Sequence, residues 1–226
     1  MRNVIALTEL VAMLTVTVSV AFFVLLGLKH FGAEKRKRLI CTLAVLYLAL
    51  DMLRFLVNAS FYDKATTPAT DVKFGYNLLY ACVALFAAYH EGKWKRFFCS
   101  IACFTALVPF FSACFDRTVF FSQSDENGVL SGIFFAESGI SLSIALLLHS
   151  AGECDLSAKG LFDALLAVGA FLVMSLLAYL FWVLQIHRND TFAFAQIIPW
   201  LVKACACLLS VPLTWLCIRL IRFKTE

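Results

Sequence analysis

Charge is scarce in this sequence. Asp, Glu, Lys and Arg together make up 15% of its 226 residues, against about 25% in an ordinary soluble domain. Hydrophobic residues reach 62% and the mean hydropathy is +0.87. Little of the chain lies outside apolar segments, which leaves no room for a soluble domain. The net charge of +4 is not a nucleic-acid signal, because the basic residues sit in short loops beside apolar runs, as insertion topology demands. Other absences narrow the functions. There is no Cys-x-x-Cys pair for a quinone-linked thiol oxidoreductase and no Gly-rich phosphate loop. There is no convergent set of Cys and His ligands for zinc, since His30, His90, His149 and His187 are scattered at segment ends. Neither a cofactor nor a metal is expected. Of the nine cysteines only Cys154 lies in a loop; the others read as small hydrophobes inside apolar segments.

What is present is a series of long apolar runs. About 20 apolar residues span the hydrocarbon core as a helix. Seven candidates emerge, at 5–28, 39–57, 75–89, 97–115, 129–149, 161–185 and 192–218. The third is short unless it extends at its start, and without it the count is six. An outer N-terminus puts twelve Lys and Arg residues on the inner side and five on the outer, leaving Arg54 and Lys203 within spans. This asymmetry supports seven spans with the N-terminus out and the C-terminus in. The weak link is the inner loop at 150–160, where Lys159 faces Glu153 and Asp155. The first run has one basic residue before it, a long apolar stretch and no small-residue cleavage site, and reads as an uncleaved span. The expected fold is a single all-α polytopic transmembrane bundle over 1–226, in a bacterial cytoplasmic membrane.

Polar residues inside a membrane mark the places where a function would live. On the second segment Tyr47, Asp51, Arg54 and Asn58 form one stripe at helical spacing, read either as a self-neutralised pair or as a cavity wall. On the first, Thr8, Thr15 and Ser19 share a face suited to helix packing. The fifth carries Glu137 near mid-depth beside Ser138, Ser141 and Ser143. The last carries Gln196, Pro199, Lys203, Cys207, Ser210 and Thr214 on one stripe, with Pro199 and Pro212 as expected helix breaks. Glu137 is the expected counter-ion of Lys203. The expected ligand-binding or charge-pair residues are Lys203, Glu137, Asp51 and Arg54, with Tyr76, Tyr80, Gln196 and Ser210 lining the cavity.

From the second segment to the sixth, the chain resembles the YwaF-type bacterial integral membrane proteins. "YNLLYACVALF" keeps a cysteine, Cys82, but has neither the Pro nor the His of that family's helix start, and "NDTFAF" stands where the family has an Asn-Tyr-Met-Phe-like stretch. The resemblance implies a fold of this type. The acyltransferase chemistry of some relatives needs a histidine to deprotonate the cysteine, and none is placed for it here. "FAQIIPWLVKACACLLSVPLTW" also resembles the last helix of vitamin-uptake carriers, where a lysine precedes a proline by about nine residues; Lys203 and Pro212 have that spacing. Microbial rhodopsins share a lysine halfway along a seventh span, but Pro199 stands where they carry an acid, so bound retinal is not expected.

The expected function is a small-solute carrier or membrane-embedded binding subunit. Its partners would be the bilayer, a small solute and a possible membrane complex, with no nucleic acid. The alternative is a lipid-modifying enzyme, or a sensor or structural subunit of a membrane complex. No nucleophile–base pair facing a cavity is evident, which weighs against an enzyme.

Overall fold

The computed structural model describes residues 15, 18–19, 31–61, 68–112, 129–186 and 197–221. They fold into α1 (Ala33–Phe61), α2 (Pro68–Tyr89), α3 (Lys93–Phe104), α4 (Val129–Ser150), α5 (Ala158–Ile186) and α6 (Ile197–Leu220). No strand occurs among the described residues. After α3 a turn at 105–107 leads into a further helical stretch at 108–112. Four helices among the described residues are long and apolar enough to cross a membrane: Lys93–Ser112, Gly132–Ser150, Ala158–Phe181 and Trp200–Leu220; Gly75–Tyr89 is a shorter apolar helix. The helix of the expected third span begins earlier, at Pro68, and runs for 22 residues, but its apolar part, Gly75–Tyr89, stays shorter than the four candidate spans. The first expected span, 5–28, lies outside the described residues apart from positions 15, 18 and 19.

Packing separates two kinds of helix. Within their apolar windows, α4 is 71% buried and Lys93–Ser112 is 61% buried, while α5 and α6 reach 22% and 33%. The central seam is built from small residues: Ala84, Ala87 and Ala88 on α2, Cys99, Ala102, Cys103 and Ala106 on and after α3, and Ala145 on α4. Such residues let helix backbones approach closely where apolar surroundings give no hydrophobic drive for association. The large side chains point the other way. Phe162, Leu166, Met174 and Phe181 of α5 and Ile198, Leu209 and Leu220 of α6 are exposed. An outer face of this kind suits hydrocarbon rather than water.

Seam hydroxyls bond to backbone carbonyls. Thr105 Oγ1 donates to Ile101 O at 2.7 Å, Ser138 Oγ to Phe134 O at 2.9 Å and Ser143 Oγ to Gly139 O at 2.7 Å, each one turn back. Ser141 Oγ reaches across to Ala106 O at 2.7 Å and ties α4 to the turn after α3. These bonds satisfy the hydroxyls where water is absent. The helix breaks expected at Pro199 and Pro212 do not occur, and α6 is continuous through both. Pro199 falls in the first turn, where no intrahelical donor is needed, and Pro212 removes one bond mid-helix. Beside that gap Ser210 Oγ donates to Cys207 O at 2.6 Å and Thr214 Oγ1 to Ser210 O at 2.7 Å.

One end of the bundle is tied together by the loop between α4 and α5. Gly152, at φ +70°, turns the chain, and its N–H bonds His149 O at 2.9 Å. From α1, Arg36 Nη1 reaches Ser150 O at 3.5 Å. From α3, Ser100 Oγ accepts the Asp155 N–H at 2.9 Å, and Lys95 Nζ pairs with Glu153 Oε1 at 2.5 Å. From α6, Trp215 Nε1 donates to Leu156 O at 3.1 Å, and His149 Nε2 lies 3.2 Å from Ile221 O. The loop acids have partners: Glu153 pairs with Lys95, and Asp155 accepts the Ser157 N–H at 2.9 Å. The hydrogen bonds from Ser157 hold the Asp155 carboxyl below the usual range. Gly160 is buried against this loop, and a Cβ there would meet the Asp155 carbonyl oxygen at 2.1 Å. Gly160→Ala should lower stability by about 1–3 kcal/mol through overpacking. Denaturation of the purified protein in detergent would measure it, and an unchanged midpoint would mean that the loop yields freely.

Candidate functional site

In the apolar interior a charged group must find its partners within the protein. On α1, Tyr47, Asp51 and Arg54 share a face at i, i+4 and i+7. All three are buried: Tyr47 and Asp51 are 0% exposed and Arg54 4%. Asp51 Oδ1 accepts from Arg54 Nε at 2.9 Å and from Arg54 Nη2, and also from Asn77 Nδ2 of α2 at 2.8 Å. Asn77 Oδ1 in turn accepts the Tyr47 hydroxyl at 2.7 Å. Arg54 Nε lies 3.7 Å from Glu137 Oε1 on α4, and Glu137 is 0% exposed. The Arg54 guanidinium also stands over the Phe134 ring, 5.6 Å from its centroid. One cation thus meets two buried carboxylates from two helices. Asp51 Oδ2 is buried with no hydrogen-bond donor among the described residues.

Three of the four expected charged residues are brought together here. Arg54 pairs with Glu137 across helices, a contact the sequence did not suggest. Packing explains this partner. α4 packs on α1 and α3, while α6 packs on α5 and α3. Arg54 therefore comes from a helix packed directly on the Glu137 helix. Lys203 is half-buried on α6, with Ala204 and Cys207 on the buried face. Ser210 is buried on the same helix and bonds its own backbone. Gln196 lies outside the described residues, as do the side chains of Asn58 and Pro199.

Tyr76 and Tyr80 flank the cluster on α2. The Tyr80 hydroxyl lies 3.2 Å from Ala102 O and 3.0 Å from Ser141 O, bridging α3 and α4. The Tyr76 hydroxyl donates to Thr105 O at 3.1 Å. Tyr80 stacks between Tyr47, at 5.4 Å, and Tyr76, at 6.4 Å, and Tyr76 meets Phe171 edge-on at 5.0 Å. A groove of about 530 Å³ beyond them, between α2 and α5, is lined by Gly75, Leu79, Ala167, Phe171 and Met174 among others, and it is apolar.

Sequence reasoning missed Asn77, although an amide inside the apolar run "GYNLLYAC", one turn before Tyr80, was a legible signal. No cluster of His, Cys, Asp and Glu able to hold a metal occurs among the described residues. Comparison with family models, curated proteins and solved structures gives no match.

Arg54→Met would leave the buried Asp51 carboxylate without its cation and should cost about 3–5 kcal/mol. Adding Glu137→Gln should return part of that loss. Chemical denaturation in detergent would test the cycle, and strictly additive effects would mean that Arg54 and Glu137 do not interact.

Proposed function

We propose that this chain is a multi-pass membrane protein that carries or binds a small solute, with Asp51, Arg54 and Glu137 as the charged centre. The observation that carries the reading is a fully buried charged cluster in which Arg54 bonds Asp51 and lies 3.7 Å from Glu137, while Asp51 Oδ2 has no donor among the described residues. An acceptor left without a donor in the interior carries a desolvation cost that a cation or a proton would offset. Asp51 Oδ2 is the acceptor available for such a group. The chemistry therefore favours a solute with a protonated amine, or a proton, as the occupant.

The finer topology belongs to the same reading. Seven spans with the N-terminus outside would put the start of α1, the start of α3, the α4–α5 loop and the end of α6 on the inner side. Arg36–Ser150, Lys95–Glu153 and His149–Ile221 contacts gather those segments at one end of the bundle, as this alternation requires. Lys35, Arg36, Lys37, Arg38, Lys93, Lys95, Arg96, Lys159 and Arg219 belong to them. Such an end faces the cytoplasm of a bacterial inner membrane under the positive-inside rule.

Two measurements test the proposal. In proteoliposomes, a panel of small protonated amines should include at least one that is taken up by the wild type, with uptake lost in Asp51→Asn and in Glu137→Gln. Uptake that survives in a stable Glu137→Gln protein would end the role of the cluster. A reporter fused after Glu226 should be active in the cytoplasm, and periplasmic activity would reverse the topology.

A further inference from the structure

Away from the charged cluster, the basic end of the bundle holds a group of sulfurs that is dispersed in sequence. Cys99 and Cys103 are one turn apart on α3 and both are fully buried. Cys154, half-buried on the α4–α5 loop, meets them. Its Sγ lies 2.7 Å from Cys103 Sγ and 3.8 Å from Cys99 O. Cys99 Sγ is 3.6 Å from Glu153 Oε2, and Cys103 Sγ is 3.3 Å from Ala145 O. The His149 ring of α4 hydrogen-bonds Cys154. Both Cys103 and Cys154 are thiols.

The distance decides between two uses of such a pair. Two thiolates on one tetrahedral zinc at about 2.3 Å each stand about 3.8 Å apart. At 2.7 Å the sulfurs are too close for that and approach the separation at which they bond, about 2.05 Å. The geometry points to a thiol–disulfide exchange site in which Cys154 attacks a small anionic disulfide and Cys103 resolves the product.

The division of labour follows from burial and neighbours. Cys154 is the half-buried residue of the pair and Cys103 the fully buried one, so Cys154 is the entry point. Its thiol is lowered from the ordinary range to about 7, first by the hydrogen bond from Cys103 and then by His149, against the opposing effect of burial. The groups facing it are Cys103, Cys99 and Lys95 from α3, His149 from α4 and Glu153 of its own loop. With Lys95 paired to Glu153, Arg96 and Lys159 on the same rim favour an anionic reactant.

The reaction balances with the disulfide as oxidant. The Cys154 thiolate attacks one sulfur of RSSR, forms a Cys154–S–S–R bond and expels RS⁻, which takes up the proton that Cys154 gave up. Cys103 then loses its proton and attacks Cys154 Sγ, breaking the mixed disulfide and expelling the second thiolate, which is protonated in turn. Two protein thiols are oxidised to one disulfide, and RSSR is reduced to two RSH. The bond would fasten the α4–α5 loop covalently to α3.

The test uses the full chain purified in detergent under reductant and then equilibrated in glutathione buffers of rising disulfide content. After an acid quench, free thiols are alkylated and peptides mapped by mass. Cys103 and Cys154 should disappear from the alkylated pool together, and the crosslinked peptide should join these two positions. Cys103→Ser should instead accumulate a glutathione mixed disulfide on Cys154. The rate of Cys154 alkylation should rise with pH through a midpoint near 7, and His149→Gln should move that midpoint upward. A Cys154 that stays fully alkylatable in the wild type under excess glutathione disulfide overturns the proposal, as does a crosslink to Cys99. The wild-type mapping stands alone if Cys103→Ser fails to fold.

Discussion

A guanidinium with no water to turn to sets the terms for three helices. Arg54 takes one carboxylate from its own helix, one turn back, and a second from α4, while Asn77 of α2 holds the first carboxylate from its other side. Each member would be costly in an apolar interior without the others, because unpaired charge and unbonded amide groups lose their hydration for nothing. Together they set how α1, α2 and α4 meet. Tyr47 and Tyr80 extend the same constraint: their hydroxyls end on Asn77 and on carbonyls of α3 and α4.

Around that centre the seam is made of small residues and hydroxyls, and bulk is displaced to the outside. This arrangement explains why the most apolar helices, α5 and α6, are the least buried. In a water-soluble fold the order would be reversed, with the most apolar elements in the middle. Here apolar side chains are at home on the exterior, and the interior goes to groups that cannot be left there.

The two ends of the described bundle do different work. The charged cluster lies deep, with Glu137 thirteen residues, or about 20 Å, from the Ser150 end of its helix. At that end α1, α3 and α6 all send donors or acceptors to a single short loop. The same loop carries Cys154 to within bonding reach of a sulfur 51 residues earlier. A loop fastened at so many points is a stiff support for a reactive side chain, which then needs no ordering at the moment of reaction.

Composition alone determined that the chain is helical and built from long apolar segments, since scarce charge and runs of about 20 apolar residues leave few other solutions. Helical spacing was enough to place Tyr47, Asp51 and Arg54 on one face, because that is a property of a single helix. It was also enough to single out Glu137. That Arg54 also meets Glu137 could not be read this way, because pairing between helices depends on which helices are neighbours, and α4 lies against α1. The prolines of α6 promised breaks that the fold does not make, since one falls where no donor is needed and nearby hydroxyls bond carbonyls beside the other. The sulfur cluster was invisible for the same reason as the ion pair. Cys103 and Cys154 have no spacing that links them, and only the turn at Gly152 and the close approach of α3 and α4 bring them together.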